Sequence, residues 1–268
     1  MHASVIEKWH QFSTPLEGRV GHLYADVKQL LTAGVGNLAD PVSLALQMPW
    51  KLPDGSLASK DEVVRQWNAV KSQAAYLSKR HYKFAAPLST IRLTDEDIDA
   101  FVAKRLAQTE RALKKAYPNW DDFPADAQLG CLSMAWAVGD GFPAIFKNFT
   151  RFANKQDWVS AKACAKIKAD NNPGVVPRNR NNELCFDNAA TVFENAMDRS
   201  VLHWPTVATR PKADAAPLQR PAITDADRAR VLAMSEAYAR ATAELIRADA
   251  LRELTGHGID PADGGGET

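Results

Sequence analysis

The chain has 268 residues, a formal net charge of +1, and contents of 46% hydrophobic and 24% charged residues. This length and apolar content suit one large domain with an appendage. The near-zero net charge argues against a nucleic-acid binder that works through a dense basic surface. The three cysteines, Cys131, Cys164 and Cys185, have no metal-ligand spacing, which favours free thiols and folding in a reducing compartment.

The start of the chain lacks the basic residues and apolar run of a signal peptide, and no stretch is apolar enough for a membrane span. The sequence therefore predicts synthesis in the cytoplasm without a leader. A target in the periplasm would require release by lysis or injection by another machine.

Apolar residues at helical spacing predict a first helix from Val5 to about Ser13. Pro15 predicts a break and Gly18 a cap. This arrangement puts Glu17 at a helix terminus, where a side chain can face a cleft.

The middle of the chain predicts a small sheet followed by helices. Leu23 to Gly36 favours short strands with a turn near Lys28-Gln29. Capping signals at Ser59 and Thr94 each precede a helix, and Asp126 to Val138, which is almost entirely apolar, is typical of a buried central helix. Further helices are predicted over 142–153, 158–167 and 182–200.

The C-terminal part has a different composition. Four prolines predict a linker over 205–223, a thin apolar stripe predicts a helix over 224–255, and glycines predict a disordered tail over 256–268. The helix either packs on the main body or docks a delivery apparatus or an inhibitor. The fold class predicted for the whole chain is α+β, mainly α.

Glu17, Asp26 and Thr32 form a candidate hydrolytic set near the start of the chain. A glycosidase needs one carboxyl group to protonate the leaving oxygen and a second to activate water or attack the sugar. The structural alternative is that Glu17 ends a helix, Asp26 forms a turn and Thr32 is an ordinary strand residue.

The wider pattern resembles the catalytic segment of the phage T4-type lysozymes. It contains Glu17-Gly18, Tyr24-x-Asp26 and Thr32-x-Gly34-Val35-Gly36, in that order and at the family's spacing. The run from Gly130 to Gly139 is similar to the family's buried central helix. Val175 to Arg180 is similar to the arginine segment that closes its fold. The resemblance covers roughly residues 5–200.

This resemblance implies a two-lobed, lysozyme-like catalytic domain over residues 1–204. A β-hairpin lobe would span about 14–60, an inserted helical segment about 41–91, and a helical lobe about 93–204. The implied activity is hydrolysis of the β-1,4 bond between N-acetylmuramic acid and N-acetylglucosamine in peptidoglycan, with inversion and without a metal or cofactor. Glu17 would be the acid, Asp26 the base and Thr32 the residue that positions water. Inversion requires the two carboxyl groups to lie roughly 6.5–9.5 Å apart.

The same resemblance implies a set of substrate contacts. Small-lobe residues would line the cleft, two aromatic residues would contact sugars from the large lobe, and two arginines would contact acidic groups: Tyr24, Gly36, Leu38, Trp136, Phe149, Arg178 and Arg180. Core packing is the alternative for both aromatic residues. A structural ion pair, such as Arg180 with Glu183, is the alternative for the arginines.

Three features depart from the family pattern. No glycine lies between Asp26 and Thr32, Asn37 stands where the family usually has histidine, and residues 41–91 are longer than its lobe connection. The long segment predicts one or two extra helices near the cleft. Within it, Trp50 either extends the sugar-binding edge or packs inside. His22 either tunes the acid or packs at the surface.

Two other activities fit the same residues. A lytic transglycosylase needs the acid but no water site, and an inactive peptidoglycan-binding module needs neither. For the muramidase, two delivery routes are open. One is a phage endolysin released by lysis, and the other is an antibacterial effector with a secretion carrier and a cognate immunity protein. The insertion and the C-terminal helix favour the effector.

Overall fold

The computed structural model describes residues 1–169, 174–209 and 225–255. Over these residues the chain forms eleven α-helices, three strands and two 3₁₀-helices, and the predicted fold class, α+β and mainly α, is confirmed. The elements follow in the order α1 (Ala3–Glu17), β1 (Val20–Ala25), β2 (Leu31–Gly34), β3 (Asn37–Leu38), α2 (Val42–Ala45), α3 (Lys60–Lys71), α4 (Ala74–Leu77), a 3₁₀-helix (Tyr82–Leu88), α5 (Asp95–Ala116), a second 3₁₀-helix (Trp120–Asp122), α6 (Ala125–Val138), α7 (Phe142–Ile145), α8 (Lys147–Ala153), α9 (Trp158–Ala163), α10 (Val175–Glu194) and α11 (Asp225–Thr255).

Helix α1 continues through Pro15 to Glu17, so the predicted end near Ser13 is wrong. A proline inside a helix costs about 3 kcal/mol, but Trp9 and Phe12 are almost fully buried and hold the helix in place. Gly18 ends the helix with φ 73°, and its N–H donates to Thr14 O at 2.9 Å. Glu17 therefore lies at a helix terminus, as predicted.

The three strands form an antiparallel sheet in the order β1-β2-β3. Tyr24 pairs with Thr32, and Thr32 pairs with Leu38. Directly paired residues share one face of a sheet, so these three side chains form a row across the strands. The neighbouring residues Leu23 and Leu31 lie on the opposite face and are fully buried in the core.

The hairpin turn between β1 and β2 lies where the sequence predicts it, although it contains no glycine. Gln29 adopts φ 63°, which costs a non-glycine residue about 1 kcal/mol. Oδ1 of Asp26 accepts hydrogen bonds from the N–H groups of Lys28 and Leu30, both at 2.8 Å. Lys71 of α3 donates to Gln29 O at 3.0 Å. Side-chain hydrogen bonds therefore stabilise this turn, which lacks the glycine of the family pattern.

The segment 41–91 folds into α2, α3, α4 and the first 3₁₀-helix, more elements than the one or two helices predicted. Helices α3 and α4 and the 3₁₀-helix pack against β1. Trp50 is 1% exposed and donates through Nε1 to Ala45 O at 2.8 Å. Trp50 is therefore a packed core residue. Its ring is not exposed, so it does not extend a sugar-binding edge in this structure.

Helix α6 is buried on almost every side and packs closely on α10. Helix α10 begins at Val175, so the predicted start at 182 is wrong. Pro177 is compatible with the first turn because helix N–H groups have no partner within the helix there. The earlier start places Arg178 inside a helix rather than in a loop. The predicted helix over 142–153 is two helices, α7 and α8.

Helix α11 packs along α5 and against α1. Met234 and Ala241 are buried in this contact, and the Tyr238 hydroxyl donates a hydrogen bond to Glu110. The predicted helix over 224–255 corresponds closely to Asp225–Thr255. Residues 210–223 of the predicted linker, residue 224 of the predicted helix and the predicted tail over 256–268 lie outside the described residues.

None of the helices in the described part of the chain is both long and apolar enough to cross a membrane. Cys131, Cys164 and Cys185 are free thiols. Burial raises the pKa of Cys131 and Cys185 above the ordinary value for a thiol.

Candidate active site

The structure connects Glu17 to the distant helix α10. One of its carboxylate oxygens accepts a hydrogen bond from Arg178, which is 6% exposed. The same guanidinium donates to the carbonyl and hydroxyl oxygens of Ser133 on α6, at 3.0 and 3.2 Å. The Glu17 side chain itself is 20% exposed. Glu17 therefore has one side fixed to the buried helices and another open to solvent.

A second guanidinium contributes to the charge around Glu17. Arg105 of α5 lies over the Trp136 ring at 3.9 Å and donates to Trp136 O at 3.0 Å. Burial lowers the pKa of Arg105, while the charges of Glu17 and Asp140 raise it. Glu17 is thus within the electrostatic influence of two arginines, and sequence reasoning did not identify Arg105.

Tyr24 lies near both candidate catalytic carboxylates. Burial and the charges of Glu17 and Asp26 raise the pKa of Tyr24 to about 12. A phenol with this pKa keeps its proton at neutral pH and is available as a hydrogen-bond donor. The structure thereby brings together three of the residues that the sequence selected.

The turn between β2 and β3 approaches Glu17 from the sheet side. A Cβ placed on Gly36 would lie 3.7 Å from Oε2 of Glu17, and Gly36 adopts φ 79°. Asn37 stabilises this turn, because its Oδ1 accepts a hydrogen bond from the N–H of Val35 at 3.2 Å. Asn37 therefore has a local role in place of the histidine that the family usually has there.

Asp26 and Thr32 make the contacts expected of turn and strand residues. Oδ1 of Asp26 holds the hairpin turn, and the Thr32 hydroxyl donates to Leu30 O at 3.2 Å. Thr32 is 6% exposed and Asp26 is half-buried. Among the hydrogen bonds of the described residues, none uses Oδ2 of Asp26, so that oxygen is the one available to a water molecule.

The two predicted aromatic contacts of the large lobe are buried. Trp136 is 5% exposed, with its ring centroid 4.9 Å from that of Trp9. Phe149 is fully buried beside Phe142 and Phe186, with ring centroids at 5.9 and 5.0 Å. Both occupy the positions of core aromatics, and Phe149 exposes no surface to a sugar in this conformation.

The two predicted arginines do not act together. Arg178 faces inward, whereas Arg180 is exposed. Residues two apart in a helix lie on different faces. The ion pairs of the described residues do not include one between Arg180 and Glu183. Arg178 is thus a partner of Glu17, and Arg180 is a surface residue outside this cluster. Leu38, at the edge of the row with Tyr24 and Thr32, is 45% exposed.

Tyr82 is a further residue of this region that sequence reasoning missed. Its ring centroid lies 6.1 Å from that of Tyr24, and its carbonyl accepts a hydrogen bond from Nε2 of His22 at 3.1 Å. Burial lowers the pKa of His22, and the charge of Arg92 lowers it further. The hydrogen bond to the Tyr82 carbonyl raises the pKa but does not outweigh these two effects. His22 therefore packs beside the insertion. No local sequence signal pairs Tyr82 with β1, because the contact depends on how the insertion folds.

Within the described ranges, no group of three His, Cys, Asp or Glu side chains has the arrangement to hold a metal ion.

No protein-family model, no curated protein and no solved structure matches this chain. The resemblance to the T4-type lysozymes therefore stays a prediction from the sequence pattern.

Proposed function

We propose that this protein is a peptidoglycan muramidase with a lysozyme-like two-lobed fold. The observation that carries the proposal is the placement of Glu17. It is a partly exposed carboxyl group at a helix end, bonded to Arg178 and approached by Gly36, and its charge raises the pKa of Tyr24. Glu17, Tyr24 and Gly36 lie close together in the chain, whereas Arg178 is 161 positions away from Glu17. A carboxyl group fixed on one side and open on the other is suited to proton transfer to a bound ligand.

In this proposal Glu17 donates a proton to the glycosidic oxygen between N-acetylmuramic acid and N-acetylglucosamine. Asp26 takes a proton from the attacking water through Oδ2, and the Thr32 hydroxyl accepts a hydrogen bond from the same water. Water attacks the face of the sugar opposite the leaving group, which inverts the anomeric carbon. The row of Tyr24, Thr32 and Leu38 supports this geometry because direct pairing puts the three side chains on one face of the sheet.

A lytic transglycosylase is the second candidate. It uses an acid without a water site, and the present contacts of Asp26 and Thr32 are explained by the turn and strand alone. In that reaction the 6-hydroxyl group of the muramic acid replaces water as the nucleophile and leaves a 1,6-anhydro end.

The deciding experiment is digestion of purified peptidoglycan by the wild type and by Glu17→Gln. Mass spectrometry of the released muropeptides should show reducing ends that have gained water, and early NMR spectra should show the α-anomer. Anhydro ends would replace the muramidase with the transglycosylase. Equal release by the wild type and Glu17→Gln would reject both and leave a binding module.

The proposed site of action is the cell wall, reached in the periplasm of a Gram-negative target. The proposed partners are peptidoglycan strands and, for an effector, a secretion carrier and an immunity protein. Expression in a bacterial host tests the location. Lysis should occur when the chain is directed to the periplasm and not when it is kept in the cytoplasm, with Glu17→Gln harmless in both.

A further inference from the structure

A row of aromatic rings extends from the candidate site onto the inserted segment. The Tyr82 ring centroid is 6.1 Å from that of Tyr24 and 4.1 Å from that of His81, whose plane is inclined by 34° to the Tyr82 ring. Tyr24 and Tyr82 are half-buried, and His81 is exposed. The row therefore begins at Tyr24 on β1 and reaches the surface at His81.

The backbone that carries this row is well anchored. The guanidinium of Arg92 donates hydrogen bonds to three carbonyl oxygens, those of Ala86, Ser89 and Ile91, at 2.6–2.9 Å. The carbonyl of Tyr82 is held by His22, and the 3₁₀-helix packs on β1. Rings held in place before binding lose less conformational entropy when a ligand arrives.

The same short segment is strongly basic. Lys79, Arg80 and Lys83 flank His81 and Tyr82 in sequence, and all three are exposed. Within the described part of the chain, none of the ion pairs involves these residues. The guanidinium of Arg80 lies over the ring of Tyr76 on α4 and donates to its carbonyl at 3.2 Å. Among the described residues Lys79 and Lys83 have no ion pair, and aromatic rings beside such cations suit a ligand that combines sugar rings with carboxylates.

We infer that Tyr24, Tyr82 and His81 form a saccharide subsite that extends the candidate cleft onto the insertion. Its occupant is a peptidoglycan glycan strand that carries acidic peptide stems. The apolar C–H face of a pyranose ring packs on a flat aromatic ring, and the stem carboxylates match the basic flank. This inference rests on the proposed function for its ligand, but the subsite can be measured without cleavage.

The test is sedimentation of protein with purified, insoluble peptidoglycan in the Glu17→Gln background, which removes cleavage. Tyr82→Leu and His81→Ala remove flat rings from the row. Phe84→Leu is the matched control, because Phe84 is 56% exposed on the same 3₁₀-helix and makes none of the ring contacts of the row. We expect Tyr82→Leu to weaken binding about fivefold and His81→Ala in the same direction, since an aromatic contact contributes roughly 1 kcal/mol. Phe84→Leu should change binding less than twofold.

Binding by Tyr82→Leu and His81→Ala that equals the Phe84→Leu control would overturn the subsite. Complete loss of binding in high salt for all variants alike would also overturn it, because that result needs only non-specific charge attraction. Thermal melting shows whether Tyr82→Leu folds. If that variant does not fold, His81→Ala still tests the subsite, because His81 is exposed. Failure of the wild type to release muropeptides would reject the proposed catalysis separately, since the binding assay does not depend on it.

Discussion

Arg178 donates a hydrogen bond to Glu17, although 161 positions separate the two residues in the chain. The contact joins the end of α1 to the first turn of α10. Because Arg178 also bonds to Ser133, three helices meet at one guanidinium. The position of the candidate acid therefore depends on the packing of the whole body.

Replacing Arg178 with Met should abolish most activity and lower the free energy of unfolding by about 2–3 kcal/mol. The variant leaves the partly buried Glu17 carboxylate without its charged partner and removes two hydrogen bonds to Ser133. Urea unfolding and muropeptide release measure the two effects. Arg180→Met, which removes an exposed charge two residues away, should change the unfolding free energy by less than about 0.5 kcal/mol. Equal destabilisation by both variants would contradict the assigned role of Arg178.

Two substitutions at Asp26 separate its role in the turn from its role as a base. In Asp26→Asn the amide oxygen can still accept the N–H groups of Lys28 and Leu30, so stability should change little. Asp26→Ala removes these hydrogen bonds and should cost about 1 kcal/mol. Both variants lack a carboxylate and should lose at least about a hundredfold in hydrolysis rate. Retention of activity by Asp26→Asn would point to the transglycosylase.

Gly130→Ala should destabilise the protein by about 1–3 kcal/mol, because its new Cβ would lie 2.7 Å from the Phe186 ring. The control Gly141→Ala places its Cβ in open space and should cost less than about 1 kcal/mol. Chemical denaturation measures both. A second substitution, Phe186→Leu, should reduce the penalty of Gly130→Ala by making room. Additive losses in the double variant would contradict close packing of α6 on α10 as the cause.

Stability should depend on pH through Asp99. Burial raises the pKa of Asp99, but the hydrogen bond from His10 and the charges of His10, Arg19 and Arg230 outweigh it, so the net pKa lies below the ordinary 3.8. A lowered carboxyl pKa contributes stability above the unfolded value, and this contribution is lost as the pH falls through the folded value. Asp99→Asn should therefore destabilise the protein at about pH 6 and less so at about pH 3. Urea unfolding at both pH values tests this, and an equal difference at both would contradict it.

Local signals in the sequence were sufficient for several elements. The capping box of Thr94 and Asp97 begins α5 as predicted, and the apolar run of α6 is buried almost throughout. These features depend on residues close together in the chain. The errors arose where packing outweighs a local preference: α1 continues through Pro15, and α10 begins two turns early at Val175.

The candidate site divides in the same way. The spacing of Glu17, Tyr24 and Gly36 indicated residues that the structure brings together, because one helix end and the three-stranded sheet hold them. The core position of Trp136, by contrast, depends on which side of α6 faces the body, and an almost entirely apolar helix gives no sequence signal for that direction.

Capping, periodicity and turn chemistry act over a few residues, so the main helices, the hairpin and the helix-terminal position of Glu17 could be predicted from sequence alone. Tertiary packing brings Arg178 to Glu17, places Arg105 under the electrostatic influence of Glu17, and puts the Tyr82 ring beside Tyr24. Tyr24 and Tyr82 are 58 positions apart in the chain, and Glu17 and Arg178 are 161 positions apart. Such contacts follow from the burial of apolar faces across the whole chain, which no short sequence pattern specifies.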